Sequence, residues 1–563
     1  MNKIYSVWLL GLVFLCPTVK AQSPISREDI PEKLVYKRSL EAVLPPSQRQ
    51  VTLFSSAFNI DEEGFLCRQV NISSSGLNIL NDAANEPSIA VNPLNPDEMI
   101  IGWRQFSDVT SSFREAGYAY TIDGGNSWTF PGVIEPGIFR SDPVLGSDAD
   151  GTFYYNSLAV DFNAEPLRLF TDVFRSDTIG IWDTGTYALG GDKQWMAIDQ
   201  DPGEGEDPNV YAHWNSFFSD CEGNFTRSTD GGDSYEDCTE ESTTPLFWGT
   251  MDTGPDGALY TAGGNENGEV AVYKFTNARD KTQAAEWDQS SIVDLLGFPT
   301  GNIEESPNPD GLLGQVEIAV DRSGGETDGY VYVLCTVIRV MGESADLDVM
   351  FARSTNGGVS WDPPLRLNDD IGTNIQWFGT LSVAPNGRID VVWLDTRDDA
   401  GTFLSSLYYT HSTDGGLNWN GNRRLTGAFD PHVGWPIQRK MGDYYDMVST
   451  DEGAHLAWAG TFNNEQDVFY SFIQPEVLTT SLTPIEDKLS VSVFPNPFSQ
   501  EFRIQTSEEG ELSLFIYNSI GQLLQTEKFR GEIQLDHVDW PQGMYFLDIR
   551  KGEKREVKRL VKN

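Results

Sequence analysis

The sequence is poor in positive charge, cysteine, histidine and long apolar runs, and each shortage excludes something. Lys and Arg total 39 against 84 Asp and Glu, a formal net charge of −45. Such a chain repels nucleic acid and anionic membrane surfaces, so neither is an expected partner. Five histidines and five cysteines, with no Cys-x-x-Cys pair among them, form no zinc motif. No segment beyond the first residues is apolar enough to span a membrane. Helix signals are scarce too. What is abundant is glycine (53), tryptophan (15) and tyrosine (20), in short Val/Ile/Tyr/Trp runs punctuated by Gly, Asn, Asp and Pro. Many short strands joined by tight turns predict an all-β chain.

Lys3, the apolar run Val7 to Cys16 and Val19-Lys20-Ala21 have the order of a signal peptide, residues 1–21, removed on export. Cys67, Cys221, Cys238 and Cys335 remain, and an exported chain can form disulfides. Cys221 and Cys238 flank a hairpin-like turn and are expected to pair. No metal site and no cofactor is predicted; a structural calcium is left open.

One short pattern occurs four times: Asp123-Gly-Gly-Asn-Ser-Trp128, Ser228-Thr-Asp-Gly-Gly-Asp-Ser-Tyr235, Ser354-Thr-Asn-Gly-Gly-Val-Ser-Trp361 and Ser412-Thr-Asp-Gly-Gly-Leu-Asn-Trp419. The Asp or Asn caps turn amides, the glycines supply positive φ, and the aromatic packs beneath. A longer pattern of strand, polar turn and strand recurs seven times, starting near Pro87, Asp142, Trp195, Trp248, Val316, Phe378 and Tyr444. The short pattern resembles the Asp-box of sialidase-like (BNR-repeat) β-propellers. That resemblance implies a propeller over 87–474, seven-bladed, with six blades as the alternative, and makes the box residues structural. Residues 22–86 form an N-terminal extension, expected to cap the propeller or donate a closing strand.

After Gln474 the pattern gives way to a Thr/Ser/Pro linker, 475–490. Val493-Phe-Pro-Asn-Pro-Phe498, Leu514 to Leu524, Gly543-Met-Tyr-Phe-Leu-Asp548 and a basic end follow. Residues 491–563 resemble the type A C-terminal sorting domain of type IX secretion cargo in Bacteroidota. The resemblance implies a small β-sandwich that addresses the chain to the type IX machinery and on to the surface or the medium.

First strands of a propeller converge on its axis, so their entry residues share one rim. Those positions include Glu86, Asp142, Asp192, Lys193, Gln194, Trp248, Trp377, Asp443 and Tyr444, and the ends of the second strands add Arg104, Trp214 and Arg397. Aromatic faces, amides and charges in one funnel suit a glycan or polysaccharide. Resemblance to sialidases implies Tyr444, Asp142 and Asp192 as catalytic groups, with Arg104 and Arg397 as forks for a substrate carboxylate. Lys193, Gln194, Trp214, Trp248 and Trp377 complete the expected substrate contacts. The Phe/Tyr-Arg-Ile-Pro entry motif of sialidases is missing. Two alternatives stand beside the hydrolase: a lyase acting on a uronate polymer through Tyr211, His213 and Arg227, and a non-catalytic adhesion or binding propeller.

Overall fold

The computed structural model describes residues 52–475 and 491–562, apart from short segments at 162–167, 204, 216–218, 220, 241–243, 342–343, 400, 507–509, 519–522, 538–539 and 552–553. The expected signal peptide, most of the extension before residue 52 and the linker lie outside the described residues. The chain divides into two compact units, 1–475 and 476–563.

The first unit is a succession of antiparallel sheets, most of them built in chain order from the inside outward. Their first strands are Ala83–Val91, Arg140–Ser147, Trp195–Ile198, Met251–Thr253, Glu317–Val320, Gln376–Val383 and Asp446–Ser449. Each contacts the first strand of the next sheet, and the last contacts the first. The result is a propeller-type plan in which blade follows blade around an axis.

Strands that converge this way cannot pair as a flat sheet, so their inner amides need other acceptors. Side chains of the neighbouring first strand supply them. Leu145 N donates to Ser88 Oγ at 2.8 Å, Ile318 N to Thr250 Oγ1 at 2.9 Å, Ser449 N to Ser382 Oγ at 2.9 Å and Ile89 N to Asp446 Oδ2 at 3.0 Å.

The four turns, three Asp-Gly-Gly and one Asn-Gly-Gly, each follow the third strand of their sheet, at the end opposite the entry into the next first strand. Asp123 Oδ1 accepts from Ser127 N, Asp230 Oδ1 from Ser234 N, Asn356 Oδ1 from Ser360 N and Asp414 Oδ1 from Asn418 N, all at 2.9–3.0 Å. Every turn also seats on the preceding sheet. A Cβ on Gly125 would strike the Tyr470 ring and one on Gly416 the Phe351 ring; Trp128 packs on Tyr470 and Trp419 on Phe351. The motif is therefore a staple between neighbouring sheets. Cys221 and Cys238, either side of the second such turn, are disulfide-bonded with Cα atoms 6.5 Å apart; Cys67 and Cys335 are free and buried.

Closure is made by the start of the chain. Phe65–Gln69 pairs antiparallel with Asp467–Ile473, adding a strand from the N-terminal side to the last sheet. At this seam Asp82 and Asp467 are buried, at 3% and 0% exposure, and neither has a cationic partner among the described residues. Asp467 bonds instead to Asn71 Nδ2 at 2.9 Å.

The second unit holds two sheets: Val491–Phe494, Glu501–Thr506 and Glu532–Asp536; and Leu523–Phe529, Leu512–Asn518, Gly543–Lys551 and Lys554–Lys562. Burial alternates along Glu501–Thr506, and Phe502, Ile504, Leu514, Ile516, Leu547 and Leu560 share one apolar core.

The seam carries a pH dependence. Burial, and then the charge of Glu465, push Asp467 up to about 7 against the Asn71 hydrogen bond, whereas an unfolded Asp titrates near 4. Between those values the folded chain holds a proton that the unfolded chain has lost. Stability contributed by this group is thus full below about 4, falls as pH rises, and levels off above about 7. Asp467→Asn should flatten that segment of a melting-temperature profile between pH 4 and 8. An unchanged profile would show that this carboxyl is not protonated in the fold.

Candidate functional site

The entry into each first strand is a sharp bend, and left-handed residues recur there. Glu86 (φ 51°), Asp142 (47°), Lys193 (56°), Trp248 (56°) and Phe378 (54°) are non-glycine residues with positive φ, and Gly442 (102°) holds the same place before the last strand. Non-glycine residues adopt this conformation at a cost, and only where the surroundings hold them. Here the bend turns the side chains toward the axis.

Three of them, Glu86, Asp142 and Lys193, meet in one buried ion network. Lys193 Nζ lies 3.1 Å from Asp142 Oδ2 and 2.5 Å from Asp443 Oδ2. Lys440 Nζ lies 2.5 Å from the same Asp443 oxygen and 3.4 Å from Glu86 Oε1, and Arg104 Nε lies 3.0 Å from Glu86 Oε2. Sheets one, two, three and seven are thereby tied together at the centre. Burial alone would push the Asp142 carboxyl up, but Lys193 and then Arg104 outweigh it and hold it well below the usual range. Asp443 is likewise held down, by Lys193 and Lys440 acting against burial. Glu86 goes the other way: burial pushes it up to about 7 despite Arg104 and Lys440. Burial also raises Asp192, over the pull of Lys193.

Two entry loops are stitched beside this network. Asn308 Nδ2 donates to Gly442 O at 2.8 Å, Met441 N to Asn308 Oδ1 at 2.7 Å and Leu312 N to Asp443 Oδ1 at 2.9 Å. Arg439 bridges Glu304 and Asp310 at 2.9 and 2.8 Å.

Against this geometry several sequence expectations change. Tyr444 is 2% exposed, and its hydroxyl donates to Pro143 O at 2.7 Å. Burial holds it well above the usual tyrosine range, so it is a packed residue against Trp195 and not an exposed nucleophile. Arg104 and Arg397 do not form a common fork. Arg104 is committed to Glu86 and Asn85; Arg397 is committed to Asp395 at 2.8 Å and Asp369 at 2.6 Å, with its guanidinium over the Tyr408 ring. Trp214 and Trp377 are buried, their indole N–H groups bonded to Ser219 and Ser405; Trp248 is half-buried. Gln194 Nε2 is held by Asp142 O.

The lyase set stands together, Tyr211 opposite Arg227 on paired strands with His213 two residues along, but its groups are already engaged. Arg227 grips Glu236 and the carbonyls of Ala278, Asp280 and Gln283. Tyr211 is fully buried beside Asn209, and His213 Nε2 lies 3.3 Å from Gly249 O. Lys440 was missed by the sequence reading, as were the central roles of Glu86 and Asp443.

A buried charge stripped of its partner costs about 3–5 kcal/mol. Lys193→Met should therefore lower unfolding stability by roughly that amount, and adding Asp142→Asn should restore part of it, because no unpaired charge then remains. Denaturant midpoints measure both. A Lys193→Met protein as stable as the parent would mean that the network does not hold the axis.

No helix among the described residues is long and apolar enough to cross a membrane. No curated protein matches the chain. Solved structures do. A Dyadobacter fermentans protein of unknown function is 13% identical, with 73% of this chain and 99% of that one covered, at a TM-score of 0.40. A Penicillium chrysogenum α-L-arabinanase complexed with arabinobiose is 12% identical, with 76% and 99% covered, at 0.39. The Hadza microbial sialidase Hz136 is 13% identical, with 66% and 76% covered, at 0.36. Likenesses this distant say nothing about activity. The C-terminal unit is another matter: residues 492–563 match the family of secretion system C-terminal sorting domains, the address for type IX secretion to the cell surface or beyond.

Proposed function

We propose that the chain is a seven-bladed, sialidase-like propeller carried out of the cell by its sorting domain, where it binds extracellular glycan without cleaving it. The observation that carries this reading is the mutual pairing of charged groups at the axis. Asp142 and Asp443 are neutralised by Lys193 and Lys440, Glu86 by Arg104, and the Tyr444 hydroxyl is spent on a backbone carbonyl. A hydrolase needs a nucleophile or an activated water within reach of substrate. The seven first strands in mutual contact support the blade count, and the sandwich reading of the sorting domain rests on its two sheets around one core.

One observation favours a glycoside hydrolase as the second reading. Glu86 is pushed up to about 7 while Asp142 is held low. Two carboxyl groups driven apart in this way are the usual division between an acid and a charged partner.

A glycan panel separates the two. The mature chain should retain polysaccharide in affinity electrophoresis and release no new reducing ends. Turnover that Glu86→Gln abolishes would overturn the binding reading in favour of the hydrolase.

Export is tested separately. Removing residues 491–563 should leave a folded propeller confined to the periplasm; its normal appearance outside the cell would contradict the address.

A further inference from the structure

The second sheet lacks the stapling turn that follows the third strand in sheets one, three, five and six. After its third strand, Arg168–Ser176, the run Ser176-Asp177 to Trp182 carries no adjacent glycine pair. Its glycines are spread to Gly180 (φ 80°) and Gly185 (φ 74°), where a Cβ would strike the Tyr120 and Phe174 rings. The wider turn still docks on the first sheet, through Tyr118 Oη donating to Gly180 O at 3.1 Å. Trp182 stands perpendicular to the rings of Tyr118 and Tyr155, with centroids 5.7 Å away in each case. Where the compact turns fill the joint between sheets, this one leaves a half-open cavity of about 300 Å³, lined by Tyr118, Phe174, Trp182, Glu135, Asp183 and Thr184 among others.

We propose that this cleft between the first and second sheets is a binding site for a neutral sugar unit of a glycan, a site separate from the axial rim. Its size is at the lower end for small-ligand sites, about 300–1,000 Å³. An aromatic wall offers faces to the C–H side of a pyranose or furanose ring. Hydrogen-bond groups stand at the mouth. Among the described residues the Glu135 carboxylate is bonded through Oε2, to Arg140 at 2.5 and 3.0 Å, and Oε1 stands as an acceptor. Asp183 Oδ1 caps Arg175 N and Gly185 N, and its Oδ2 lies 3.5 Å from Arg175 Nε. The Thr184 hydroxyl is exposed.

Charge selects among ligands. Two arginines serve four acids here: Arg140 pairs with Glu135 and Asp172, and Arg175 with Asp233 at 2.5 Å and Asp183 at 3.5 Å. Both guanidinium groups are thus committed, and the surplus of carboxylate repels a uronate or a sialic acid. Carboxylate acceptors beside aromatic rings fit hydroxyl groups.

The test uses the mature chain, with tryptophan fluorescence and calorimetry against neutral oligosaccharides (arabinose, xylose, galactose and glucose series), galacturonate oligomers, sialyllactose and glucosamine. A neutral series should bind and shift the emission. Thr184→Arg, at an exposed position that fills the mouth, should weaken binding at least ten-fold with the melting temperature unchanged. Trp182→Phe should weaken it less. Saturable binding that Thr184→Arg leaves intact would overturn the cleft and keep the glycan reading. Preference for the charged sugars would overturn the cleft's assignment to neutral ligands. Absence of any binding would overturn both.

Discussion

A ring of strands pointing at one axis has an inner edge that no neighbouring strand can satisfy in the ordinary way. Backbone amides there face either a void or another strand's side chains, and unpaired buried amides are expensive. This chain answers with short hydroxyl and carboxylate side chains that reach one strand over: Ser88, Thr250, Ser382 and Asp446 each accept an amide of the adjoining first strand. The requirement spreads outward from there. Apolar packing falls largely to the faces between sheets, where Trp103, Tyr154, Tyr260 and Phe351 lie. The same convergence brings the entry bends together, and their charged side chains must then be neutralised locally because water is excluded.

Turn chemistry made much of this fold readable in advance. An Asp-Gly-Gly turn is specified by five or six consecutive residues, so its four copies and the strands flanking them could be marked without any tertiary knowledge. The recurring starts near Pro87, Asp142, Trp195, Trp248, Val316, Phe378 and Tyr444 fall on or beside the first strands for the same reason. Closure of the ring was less legible. Phe65–Gln69 pairs with a strand some 400 positions later, and nothing in its own composition names that partner.

The site was legible as a set of positions and not as a set of partners. Glu86, Asp142, Lys193 and Asp443 were all placed at the rim by counting from the repeats, and they do meet. What sequence spacing could not supply was that Lys193 from the third sheet reaches Asp443 at the entry to the seventh, or that Asp395 two residues before Arg397 would claim its guanidinium. An arginine reads as available until the acid beside it is seen.

That accounting decides what kind of ligand remains plausible for the whole propeller. With more than two acids for every base, cations are the scarce group, and the fold commits them to its own acids. Arg104 holds Glu86, Arg175 holds Asp233, Arg279 holds Asp199, Arg322 holds Asp252, Arg353 holds Asp362, Arg388 holds Asp390 and Arg439 holds Glu304. A bidentate fork for a substrate carboxylate would need an arginine released from such a pair. Where that acid is buried, as Glu86, Asp199 and Asp390 are, it would stay behind charged, at a cost comparable to the bond gained. Neutral polyhydroxyl ligands ask for no such exchange. They need acceptors and aromatic faces, and an acidic, tryptophan-rich chain has both in surplus.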